Sequence, residues 1–87
     1  MLLWYDSLMN IVRINMFTGS HKPTVLERVK ALFPNEAVAL EPNPEGWGED
    51  VVFRTDNILA PSDMTTLTKF GLVSVRTSGR GSVGLVL

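Results

Sequence analysis

Cysteine is absent from the 87 residues, and histidine occurs once, at His21. Without cysteine there are no disulfides, no thiol catalysis and no thiolate metal sites, and a reduced cytoplasm is the expected compartment. A single imidazole cannot supply the nitrogen and sulfur ligands that transition metals prefer. His21 lies in Gly19-Ser20-His21-Lys22-Pro23, where spacing implies neither a nucleophile nor a partner acid. A solvated loop histidine is therefore expected there, rather than a general base. No catalytic set, metal site or cofactor site is expected, and the chain reads as non-enzymatic.

A long uninterrupted apolar run is also missing. The start, MLLWYDSLMNIVRINMF, is broken by Asp6, Asn10, Arg13 and Asn15. A membrane helix needs about 20 apolar residues, and a signal peptide needs a basic start before its apolar stretch. Neither is expected, and no membrane partner is expected. Met9 and Met16 are potential internal starts, so residues 1–10 read as a leader that the fold can dispense with. Residues 1–87 form one small domain, since a chain of this length holds a single modest core.

Net charge is small, at −1, but it is segregated. Residues 1–34 carry four bases (Arg13, Lys22, Arg28, Lys30) against Asp6 and Glu27, a balance of +2. Residues 35–63 carry seven acids against Arg54 alone, a balance of −6. Residues 64–87 carry Lys69, Arg76 and Arg80 and no acid, a balance of +3. Such a partition suits charge-guided association with a second copy or a protein partner.

Periodicity defines the elements. Residues 11–17, IVRINMF, alternate, with Val12, Ile14 and Met16 on one side and Arg13 and Asn15 on the other, which predicts a strand. Thr24-Val25-Leu26-Glu27 fits a capping box. Val25, Leu26, Val29, Leu32 and Phe33 then share one helical face, and Pro34 ends the helix. AVALE (37–41) and DVVFRT (50–55) predict two strands joined by the turn PNPEGWG, with Val51 and Phe53 inward and Val52 and Arg54 outward. Ser62 or Asp63 can cap a short helix carrying Met64, Leu67 and Phe70, with Gly71 at a left-handed C-cap. LVSVRT and SVGLVL predict two last strands around Ser78-Gly79-Arg80-Gly81, whose glycines serve the turn before any anion nest.

The order β-α-β-β-α-β-β implies an α+β fold, a ferredoxin-like two-layer sandwich: an antiparallel sheet with two helices on one face. Many functions share that plan. Glu49 and Asp50 are adjacent and must point to opposite faces, so they cannot act as a pair. Asp50, Asp56 and Asp63 lack the one-loop spacing of a calcium site.

Two local patterns are similar to nucleic-acid binders. Glu45-Gly46-Trp47-Gly48 resembles the first half of the third-strand signature of the RNA recognition motif. Glu45 stands where that motif has a base, and Glu49 where it has a second stacking ring. Acids around Trp47 oppose phosphate, so RNA is not the expected partner. The 19 residues from Lys69 to Leu87 resemble the end of a winged helix-turn-helix domain. That resemblance implies DNA contacts by Arg76 and Arg80 at the hairpin. The segment EDVVFRTDNIL departs from it, reading as a strand where a helix belongs.

The leading expectation is an interaction or assembly protein that self-associates, as a homo-oligomer, or binds a protein partner. DNA binding is the alternative and small-ligand sensing a third reading. The terminal strand stays apolar to its end, with Val83, Leu85 and Leu87 toward the helices and Val86 on the opposite face. An edge of that kind invites pairing with another chain. The candidate partner-binding residues are Trp47, Arg76, Arg80 and Val86.

Overall fold

A computed structural model describes residues 9–46 and 48–78. Six elements follow in the order β1 (Met9–Met16), α1 (Lys22–Leu32), β2 (Ala39–Pro42), β3 (Glu49–Thr55), α2 (Pro61–Leu67) and β4 (Gly71–Ser78). The strands form one sheet in the order β2-β3-β1-β4, and every adjacent pair is antiparallel. The class is α+β, as expected. Each β-α-β crossover steps over one strand, so the two units interleave. Four strands are described where five are expected; the fifth, at residues 82–87, lies outside the described residues, as do the leader residues 1–8. β1 begins at Met9, so the last two residues of the expected leader belong to the sheet.

The alternation in β1 places Val12 and Ile14 in the core and Arg13 and Asn15 on the other face. Val12 and Ile14 are fully buried with Val51 and Phe53 of β3, Val25 and Val29 of α1, Leu67 of α2, and Val38. Both helices thus bury their apolar stripes on the same sheet face. Phe33 closes the end of α1 by stacking on Phe53, with ring centroids 4.6 Å apart. An offset aromatic pair of this kind adds about 0.5–1.5 kcal/mol to its area burial.

The start of α1 departs from the expected capping box. The helix begins at Lys22 with His21 as N-cap, because Pro23, with its fixed φ and no N–H, is suited to a first turn. The Thr24 hydroxyl lies 2.6 Å from Nδ1 of His21 instead of capping an amide, and Glu27 pairs with Lys30 at 3.6 Å. Leu32 also departs from expectation. The buried stripe centres on Val29 between Leu26 and Phe33, which leaves Leu32 exposed at its margin.

α2 likewise starts one residue before the expected caps. Pro61 takes the first position and Ala60 is the N-cap, with no side-chain bond to a free amide. Gly71 is not a left-handed C-cap; positive φ occurs only at Gly19, Gly46 and Gly48 among the described residues. It opens β4, and a Cβ there would sit 2.7 Å from the Asn15 carbonyl carbon and 2.8 Å from Met16 Cα. The missing side chain lets β4 approach the end of β1. Val52 is the last correction: it lies on the outward face, yet it is fully buried. β3 is an internal strand, and Val52 is flanked across the two ladders by Arg13 and Ala39.

Candidate functional site

The sheet face away from the described helices carries a connected polar network. Register places Arg54, Ile11 and Arg76 in one row across β3, β1 and β4, and Val52, Arg13 and Ser74 in the next. Asn15 pairs with Leu72 beyond them, and Glu41 of β2 pairs with Asp50 of β3. The alternation of β1 therefore delivers Arg13 and Asn15 beside Asp50 of β3.

Asp50 is the centre of this face. Its side chain is fully buried although neither described helix lies over its strand face. Oδ1 accepts from Asn15 Nδ2 at 3.0 Å and from Asn43 Nδ2 at 3.1 Å. Oδ2 accepts from Arg13 Nη1 at 3.1 Å and from Asn43 Nδ2 at 3.0 Å. Arg13 Nη1 also donates to the Pro42 carbonyl at 3.3 Å. Arg13 Nη2 and Arg54 Nη1 reach Glu41 at 3.8 and 3.0 Å. Burial alone would raise the Asp50 pKa. Hydrogen bonds from Asn15, Asn43 and Arg13, together with the Arg13 charge, outweigh that and hold the carboxyl below its ordinary value.

Asn43 ties the β2–β3 turn to this centre. Its Oδ1 accepts the Glu45 N–H at 2.7 Å, an Asx turn, while its backbone N–H donates to Gly48 at 3.0 Å. Gly46 and Gly48 take φ of +92° and +69°, values that glycine adopts without strain. The turn read from PNPEGWG therefore forms. Beside it a cavity of about 530 Å³ opens between Arg13, Asn15, Asn43, Asp50, Leu72 and Ser74.

No family model, curated protein or solved structure matches the chain.

Of the residues expected to bind a partner, Arg76 is placed on β4, exposed, opposite Ile11. Trp47, Arg80 and Val86 lie outside the described residues. Glu49 and Asp50 diverge as expected: Glu49 is exposed, 3.9 Å from Lys22, while Asp50 is buried. Among the described residues no group of three or more His, Asp or Glu gathers to hold a metal ion. No described helix is long and apolar enough to cross a membrane.

Sequence reasoning missed the cluster of Arg13, Asn15, Asn43 and Asp50. One signal was present. An aspartate opening the run Val51-Val52-Phe53 of an internal strand needs a buried partner, and Arg13 sits on the polar side of the other long strand.

Proposed function

We propose that the chain is a small non-enzymatic interaction module of ferredoxin-like plan. It acts through self-association or a protein partner, with the helix-free sheet face as its binding surface. One observation carries this reading: beside the hydrogen-bonded Asp50 cluster, Leu72 is 69% exposed on the same face as the exposed Arg76. Three donors hold the two Asp50 oxygens, from Arg13, Asn15 and Asn43, the last shared between both. Held by these donors, Asp50 serves to keep the surface in shape. A preorganised surface loses little freedom on binding. Arginine is a favoured anchor at interfaces.

Among the described strands, the two outer ones support the same side. β2 has only four residues, ends in Pro42 and carries Glu41, features that blunt an edge against pairing. β4 has eight residues and carries Leu72 and Arg76. The cytoplasm as compartment belongs to this proposal and rests on composition.

Sedimentation of the wild type and of Leu72→Asp/Arg76→Glu tests the reading. A wild-type oligomer that dissociates in the double variant supports it. A monomer that also captures no partner, or an oligomer indifferent to both substitutions, contradicts it. DNA binding is the second reading, favoured by Arg76, which has no carboxylate partner among the described residues. A salt-sensitive gel shift lost in Arg76→Ala separates the two.

A further inference from the structure

The described cations divide into two sets. Arg13, Lys22, Lys30 and Arg54 each lie within 4 Å of a carboxylate. Among the described residues Arg28, Lys69 and Arg76 have no such partner. Two of these three, Arg28 of α1 and Lys69 after α2, line one cavity of about 260 Å³. Ser20, His21, Thr24 and Phe70 line it with them, and no carboxylate does. In a chain of net charge −1, a concavity bordered by two uncompensated cations, an imidazole and two hydroxyls is selective for negative charge.

His21 adds an imidazole to this lining. Its Nδ1 lies 2.6 Å from Thr24 Oγ1. An anion beside the ring selects the forms in which Nε2 carries a proton, and the threonine hydroxyl accommodates both. It donates to the bare Nδ1 of the neutral ring, and it accepts from Nδ1–H of the imidazolium. The N-terminal end of an 11-residue helix contributes a favourable dipole at the same place.

We propose that this cavity binds a phosphate-type dianion, either free phosphate or the phosphate group of a small monoester. The charge of such a group, about −1.5 to −2 near neutral pH, matches the two cations. The arginine fork suits paired phosphate oxygens better than a point charge. The volume lies below the roughly 300 Å³ at which pockets for drug-sized ligands begin, a size suited to a single phosphate head group. Phe70 offers an apolar wall to the carbon attached to the ester oxygen. The site is separate from the helix-free sheet face, so it stands or falls independently of the binding role proposed for that face.

Titration of the full chain with inorganic phosphate and, separately, glycerol 3-phosphate tests this at fixed ionic strength, followed by amide and histidine-ring NMR shifts. Saturable shifts at Ser20, Thr24, Arg28, Lys69 and the His21 ring are expected with at least one probe. Whichever probe binds tighter identifies the source of the phosphate group. Arg28→Gln and Lys69→Gln should each weaken binding about tenfold, the loss of one charge-assisted contact. Non-saturating shifts spread over the surface would overturn the proposal. So would unchanged binding in the double variant with its spectrum otherwise intact.

Discussion

Asn43 Nδ2 lies 3.1 and 3.0 Å from the two carboxylate oxygens of Asp50, seven residues further along the chain. One amide thereby fixes the β2–β3 turn to the buried end of β3. Because both groups belong to one network, their contributions are not additive. In a double-mutant cycle, Asn43→Ala and Asp50→Ala should couple by about 1–3 kcal/mol. Asp50→Ala alone should cost about 3 kcal/mol, the scale for removing one partner of a buried pair. Urea midpoints of the four proteins measure both values.

Acid should reveal the same carboxylate. Its pKa is depressed in the folded chain, so protons bind the unfolded state more readily. The stability it contributes is full above the ordinary aspartate range and is lost as pH falls through the lower, folded value. Asp50→Asn should be less stable than the wild type at neutral pH, and the gap should narrow as pH drops below that range. Urea unfolding at a series of pH values checks this. A gap that widens with acid contradicts it.

Gly71→Ala should destabilise by about 1–3 kcal/mol, an overpacking cost. The new methyl would meet the backbone of Asn15 and Met16, which cannot swing aside as a side chain would. Thermal melts of the variant check this. An unchanged melting temperature would mean that β4 can shift away from β1.

Val52→Asn discriminates between an outward and a buried valine. Exposure predicts a change within about 0.5 kcal/mol. Full burial predicts a loss of about 2 kcal/mol or more, from an amide left without partners and an apolar side chain removed. Denaturant midpoints decide between them.

These residues also mark how far the sequence could be read. The alternation of Val12, Ile14 and Met16 against Arg13 and Asn15 gave β1 and its two faces, because side-chain period alone determines them. The body of α1 was equally legible from Val25 and Val29. Its start was not, since Thr24 and Glu27 satisfy the pattern of a capping box while Pro23 favours an earlier first turn. Local pattern gives Gly71 a conformational role, but its reason is a neighbouring backbone that only the β1–β4 pairing brings near. The Asp50 cluster was least visible. Asn15 and Arg13 meet it across 35 and 37 residues of sequence, through a strand register that no local pattern encodes.

The central claim is that the helix-free sheet face is where this protein meets its partner. Amide NMR shifts followed from micromolar to millimolar protein test it most directly, since weak self-association falls in that range. Concentration-dependent shifts clustered at Ile11, Arg13, Leu72, Ser74 and Arg76, and abolished in Leu72→Asp/Arg76→Glu, are the predicted result. Shifts confined to α1 and α2, or persisting in the double variant, would contradict it.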